Sequence, residues 1–433
     1  MGERATKSHA LGALEKLETY ESKVRSYSRS FPALFSRARG SLMLGDDGRK
    51  FIDFLSGAGA LNYGHNNHGI KAAIEGYLAS DAVVHGLDVA TPAKLQFMET
   101  FSSVILRERN LQYRFQFTGP TGASAVEAAL KLSRKVTGRQ NVISFTRGFH
   151  GMSLGAVAAT GNRFYRAANN ASLPGTTFMP YDGYFGATVD TASFLRSLLL
   201  DESSGIDSPA AIIVETVQGE GGLNAASKDW LRSIQTIARD VGALFIVDDI
   251  QMGCGRTGAF FSFEFADLSP DIVVLSKSLS GYGLPLSMLL IKEGFDVWRP
   301  GEHTGTFRGN NLALVSATAA INLYWRTTSF SHGVQRTGKL MQRRLEAIAS
   351  RHGNHFAVRG RGMALGLDCP TPEIAGTTAR KAFEKGLIVE RCGPDDRVVK
   401  FLPALTIDLE TLHEGLQIFE ESLAEALKLE KWH

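Results

Sequence analysis

Along the middle of the chain, short apolar runs that stop abruptly at polar residues alternate with stretches of helical period. AAIIVETVQGE (210–220), GALFIVDDIQ (242–251) and DIVVLSKSLSG (271–281) are rich in β-branched residues and break off at Glu215, Asp248 and Lys277. Between the first two, SKDWLRSIQTIARDVG (227–242) puts Trp230, Ile234, Ile237 and Ala238 on one helix face. Strand and helix in alternation predict an α/β fold with a parallel sheet covered on both sides. Ligands on such sheets collect at the carboxyl ends of the strands, so Glu215, Asp248 and Lys277 are expected on one rim. Residues 1–55, with GSLMLGDDGRKFIDF reading as a hairpin, and residues 330–433 have a different rhythm. The latter read as a helix at GKLMQRRLEAIASRH, a strand at VRGRGMALGLD, then KFLPALTIDLETLHEGLQIFEESLAEAL as strand and amphipathic helix. The two ends are expected to form one smaller α/β domain beside a large domain spanning 56–329.

Composition narrows the partners. The chain has 433 residues, enough for a large core, and a formal net charge of +3 with its basic residues scattered. That distribution offers no electrostatic footprint for nucleic acid or a membrane surface, leaving small molecules and further copies of the chain as expected partners. The three cysteines, Cys254, Cys369 and Cys392, have no metal-ligand spacing, so no metal site is expected and reduced thiols in a cytoplasmic protein are. The N-terminal stretch lacks the apolar run of a signal peptide, and nothing approaches the ~20 apolar residues of a spanning helix.

Two glycine-containing turns compete for an anion. Gly253, Gly255 and Gly258 in VDDIQMGCGRTG spell GxGxxG, but they lead into AFFSFEF, which lacks helical period. A dinucleotide fingerprint must open a helix, so this match reads as a decoy and the glycines as turn residues. YRFQFTGPTGASAVEAALKLSRKVTGR (113–139) has the required strand, loop and helix. Ser124 and Glu127 are spaced as a capping box and Gly138 as a stop. There the Thr121 hydroxyl and the amides of Gly122 and Ala123 would face an anion such as a phosphate. A well-capped helix without any ligand would look the same.

Lys277 links these features. It follows an apolar strand and is surrounded by small residues, an environment in which lysine sheds its charge and forms Schiff bases. A salt-bridge partner is the ordinary alternative for a strand-end lysine. Together with Asp248 on a neighbouring strand and an anion site upstream, however, the set matches pyridoxal phosphate. Its aldehyde needs an amine, its pyridine nitrogen a carboxylate and its phosphate hydrogen-bond donors.

Through FTGPTGASAVEAALKLSRK, SFTRGFHGMSLG, VETVQGEGG, LFIVDDIQMGCGRTG, VVLSKSLSG and HTGTFRGNNLA, the chain resembles the class III aminotransferases of pyridoxal-phosphate fold type I over nearly its whole length. VRSYSRSFP and LSGAGALNYGHNN bring it nearest to the branch acting on diaminobutyrate and 2-oxoglutarate, used in ectoine and some siderophore pathways. The resemblance implies a large domain with a mostly parallel seven-stranded sheet. It further implies that Lys277 holds the cofactor and moves the proton, that Asp248 pairs with the ring nitrogen, and that Gln251 meets the phenolic oxygen. Phe149 would stack on the ring, with His150 and Gly151 completing the turn, and Asp249 would have a supporting role. Thr306 would reach the phosphate of a neighbouring subunit, which makes the active site a property of a homodimer or larger homo-oligomer.

The same resemblance places Glu215 and Glu220 on the substrate side, Glu220 as a gate that neutralises an arginine. Where the family has that arginine, KFLPAL has Lys400. Lysine is a point charge without a bidentate fork, so either Lys400 holds the keto acid less rigidly or another basic residue does so; a surface lysine at a strand start is the plain alternative. The expected reaction moves the terminal amine between L-2,4-diaminobutyrate, with its product aspartate 4-semialdehyde, and glutamate, with its partner 2-oxoglutarate. Rivals are ornithine, acetylornithine or 4-aminobutyrate as the amine, an aminomutase or decarboxylase on the same residues, and a catalytically silent dimer that keeps the pocket.

Overall fold

The computed structural model describes residues 12–168, 172–353 and 355–430. The first eleven residues of the expected N-terminal segment and the last three of the C-terminal one lie outside them. At the centre are seven strands: β1 (Arg114–Phe117), β2 (Val142–Phe145), β3 (Thr176–Met179), β4 (Ala211–Val214), β5 (Leu244–Asp248), β6 (Ile272–Leu275) and β7 (Met288–Ile291). Their order is β1-β7-β6-β5-β4-β2-β3, and only β7 runs antiparallel to its neighbours.

Successive side chains on a strand point to opposite faces, and both faces are apolar here. Ile212, Val214, Phe245, Val247, Val273 and Leu275 enter one core, while Ala211, Ile213, Leu244, Ile246, Ile272 and Val274 enter the other. That is why these strands read as continuous apolar runs rather than alternating ones. Helix Lys228–Asp240 closes the first face with Trp230, Ile234, Ile237 and Ala238, all buried as their spacing predicts. Helix Gly122–Thr137 closes the second.

A separate apolar cluster joins the two ends of the chain. Ile52 and Phe54 pack with Leu345, Leu365, Phe401, Leu412 and Phe419. Strand Lys50–Asp53 pairs antiparallel with Leu42–Gly45, as the hairpin pattern predicts, and parallel with Leu387–Ile388. The stretch read as a single strand at 358–368 is instead a hairpin of Ala357–Arg361 and Ala364–Asp368. Its turn requires Gly362, at φ +64°, where an added Cβ would meet the backbone of Thr257 at 2.6 Å.

Loop 249–258 fastens these parts together. Gly255 and Gly258 take positive φ and no helix follows. The turn buries Arg256, whose guanidinium donates to the Asn62 side chain and to the carbonyls of Met363 and Pro403. The GxGxxG is thus a structural turn.

Candidate active site

The strand ends build the site. Asp248 is the last residue of β5, Glu215 follows β4 directly, and Lys277 lies two residues beyond β6. The three share the rim that the apolar runs predict. Lys277 opens a short 3-10 turn in the left-handed region at φ +49°, a conformation that costs a non-glycine residue energy and concentrates at functional sites. The turn is held by Ser278, whose Oγ donates to the Gly59 carbonyl at 2.8 Å and accepts the Asn62 amide at 3.0 Å. The Lys277 amine makes no hydrogen bond or ion pair with any described residue. Burial holds its pKa below the ordinary lysine value, against the pull of Glu220.

Asp248 is buried and bonded on both oxygens. Its Oδ2 is 2.7 Å from His150 Nδ1, and its Oδ1 accepts the Ile250 amide at 3.2 Å. Burial opposes charge on His150, yet the Asp248 hydrogen bond and charge, with Glu215 nearby, push its pKa up. Glu215 anchors the turn that carries Phe149: its oxygens accept the amides of Phe149 at 2.9 Å and Gly219 at 3.2 Å. Burial, chiefly, pushes the Glu215 carboxyl up to about 7. Asp249 points away from the rim, accepting the Ser262 amide at 3.0 Å, and supports the following loop.

The helix start meets this rim. Thr121 is the N-cap, its hydroxyl accepting the Ser124 amide at 3.2 Å, and Gly138 ends the helix in the left-handed conformation. The capping box expected at Ser124 and Glu127 is therefore displaced. Glu127 instead accepts from the Ser153 hydroxyl and the amides of Gly155 and Ala156, tying the helix to the segment after the FHG turn. The amides of Gly122 and Ala123 have no partner among the described residues. An added Cβ on Gly122 would lie 2.9 Å from Ile250, and one on Gly151 2.7 Å from Ala123. The open amides, the FHG turn and the end of β5 thus pack together. An unpaired amine, a buried carboxylate and open amides at a helix N-terminus fit the three functional groups of pyridoxal phosphate.

A second cluster adjoins Lys277. Lys400 is fully buried in strand Val398–Phe401, so the surface reading of this lysine is wrong. Its Nζ lies 2.7 Å from Glu220 Oε1 and 2.9 Å from Glu390 Oε2. Gln251 Nε2 donates to the same Glu220 oxygen at 3.2 Å and to the Ala58 carbonyl at 3.1 Å, while its buried Oε1 has no partner. The Tyr27 hydroxyl donates to Glu390 Oε1 at 2.7 Å. Although burial opposes it, the charges of Lys400 and Lys277 pull the Glu220 carboxyl down to about 2.

Glu390, Tyr27 and the His150 to Asp248 contact escaped the sequence reading, as did Tyr165, which packs edge-on to Phe149 with ring centroids 5.3 Å apart. A visible clue was charge inside each of two apolar segments, Glu390 with Arg391 in LIVERC and Lys400 in VVKFL. Thr306 is exposed and has no hydrogen bond to the other site residues. Among the described residues no group of three or more His, Cys, Asp or Glu could hold a metal, and no helix is long and apolar enough to cross a membrane.

The profile of aminotransferase class-III matches residues 24–423. An uncharacterised aminotransferase of Sinorhizobium fredii is 59% identical, covering 98% of this chain and 94% of its own. The diaminobutyrate–2-oxoglutarate transaminase of Bordetella parapertussis is 57% identical, covering 96% and 97%, and that of Streptomyces coelicolor 51%, covering 95% and 98%. Among solved structures, the ornithine aminotransferase of Toxoplasma gondii superposes with a TM-score of 0.83 at 24% identity, covering 96% of this chain and 94% of that one. A Bacillus anthracis aminotransferase gives 0.86 at 22%, covering 96% and 98%. At these identities the structural likeness bears on the fold, which is that of the aminotransferases.

Proposed function

The chain belongs to the class III aminotransferases, and from that membership we propose that it transfers the terminal amine of L-2,4-diaminobutyrate to 2-oxoglutarate, and the reverse. Its cofactor is pyridoxal phosphate. The observation that carries the catalytic reading is Lys277, an unpaired amine on the rim that holds Asp248. The choice of amine is supported by the names of relatives at 50–57% identity over nearly the full length.

When bound, pyridoxal phosphate supplies an aldehyde for the amine and an electron-withdrawing ring that stabilises negative charge at the substrate carbon. With its pKa lowered by burial, Lys277 gives up its proton more readily than an exposed lysine does, and its Nζ carries the proton to and from the substrate carbon. Asp248, oriented by His150, would hold the ring nitrogen protonated. The Thr121 hydroxyl and the amides of Gly122 and Ala123 bind the phosphate at the positive end of a sixteen-residue helix. Phe149, on a turn anchored by Glu215, would cover the ring, and Gln251 would meet the phenolic oxygen. Lys400 and Glu220 receive the distal end of the substrate, so the keto acid is held by a buried point charge rather than a guanidinium fork.

Thr306 acts in the site of a second subunit, as its exposure supports. The domain division at 55/56 and 329/330 belongs to the same proposal, supported by separate apolar clusters for the large sheet and for the joined ends. The test is glutamate formation from 2-oxoglutarate across a panel of amines. Diaminobutyrate is expected to lead, and activity with ornithine but none with diaminobutyrate would refute the choice of amine.

A further inference from the structure

Glu390 and Lys400 face each other across adjacent antiparallel strands, Glu390–Cys392 and Val398–Phe401. With Glu220 on the other side, one ammonium is set between two carboxylates. Removing three charged groups from water is costly, and here the charges do not cancel within the cluster. Nor is the hydrogen bonding complete. Glu390 Oε2 is buried and sits at ion-pair distance from Lys400, yet has no hydrogen-bond partner. The cluster therefore has one negative charge and one acceptor in excess. The other amine whose charge acts on Glu220 is that of Lys277, which the reaction itself requires.

A dicarboxylic keto acid brings only negative charge to such a place. The distal end of a diamino acid whose terminal amine is reacting brings one ammonium and one carboxylate, the counterpart of what the cluster has to offer. We propose that Glu390 is a specificity-determining residue, receiving with Glu220 the α-ammonium of the amine donor while Lys400 takes the α-carboxylate. This rests on the reading of diaminobutyrate as the amine. A lysine without a bidentate fork fixes a carboxylate poorly, and a second anchor on the adjacent ammonium supplies the missing orientation. Tyr27, donating to the other Glu390 oxygen, holds the carboxylate in place.

The test compares L-2,4-diaminobutyrate with 4-aminobutyrate, which has the same reacting amine and chain but no α-ammonium, as donors for the cofactor-loaded enzyme. In Glu390→Gln the ratio of kcat/KM for the two amines is expected to fall about 10- to 100-fold. The fall should lie in KM for diaminobutyrate, with a clearly smaller change for 4-aminobutyrate. Glu390→Asp, which keeps the charge one methylene further back, should lower the ratio by a smaller factor, and it serves as the test if Glu390→Gln does not fold. A purely structural ion pair would weaken both amines alike, and an unchanged ratio in the folded variant overturns the proposal. Wild-type enzyme that makes no glutamate from diaminobutyrate refutes instead the reading of the amine donor.

Discussion

His150 Nδ1 lies 2.7 Å from Asp248 Oδ2, and both side chains are almost sealed from water. The contact orients the carboxylate, and the hydrogen bond and charge of Asp248 in turn push the imidazole's pKa up against its burial; the proposed pairing with a ring nitrogen rests on this carboxylate. Asp248→Asn keeps the shape and removes the charge. It is expected to lower kcat at least about 100-fold, the scale on which single preorganised electrostatic groups act. Stopped-flow or steady-state rates at saturating donor, with cofactor content measured in parallel, check this.

The buried acids at and behind the rim should make the protein less stable as pH rises. Asp249 is pushed up from 3.8 to about 7, mainly by burial, and its Oδ1 has no partner. A carboxyl whose folded pKa exceeds its unfolded one contributes stability that is complete below the unfolded value and lost as pH climbs through the folded value. Between about pH 4 and 7, wild type should therefore lose stability relative to Asp249→Asn, on the order of a few kcal/mol. Glu215 and His150 act with the same sign, and Glu220, pulled down, acts oppositely below pH 4.5. Urea unfolding across this range, at fixed protein and cofactor concentration, measures the difference.

Lys400→Met removes the ammonium that sits between Glu220 and Glu390. Breaking a buried ion pair by removing one partner costs about 3–5 kcal/mol, so a marked drop in the unfolding midpoint is expected. Replacing Glu220 and Glu390 by Gln in the same variant should recover most of it, while activity stays lost. Denaturant melts of the single and triple variants decide.

Gly219 has no positive φ, yet a Cβ there would fall 1.7 Å from Gln251 Oε1. Because the colliding atom ends a flexible side chain, Gln251 moves and the fold is kept. Gly219→Ala should therefore weaken cofactor retention by about tenfold, an effect of the size of one lost hydrogen bond, with little change in melting without cofactor. Equilibrium dialysis against pyridoxal phosphate reads this.

Much of the fold was legible because its signals are local. The runs ending at Glu215, Asp248 and Lys277 announce buried parallel strands, and Trp230, Ile234, Ile237 and Ala238 a packed helix face. What the sequence hid depends on pairing at a distance. Nothing in LIVERC says that Glu390 will meet Lys400, since strand register is fixed only when the sheet assembles. Glu127 has capping-box spacing, but Thr121 takes the cap and frees Glu127 for the amides of Gly155 and Ala156. The hairpin at 357–368 was missed because its turn is made by glycine within an otherwise strand-like run.

The central claim is that of two buried lysines near enough to feel each other's charge, Lys277 is the reactive one. It is unpaired and its pKa lies low, whereas Lys400 is clamped by two carboxylates that raise its pKa despite burial. Reducing the cofactor-loaded protein with borohydride and mapping its peptides by mass spectrometry should place one phosphopyridoxyl group on Lys277. A label on Lys400, or only on exposed lysines, would contradict the account.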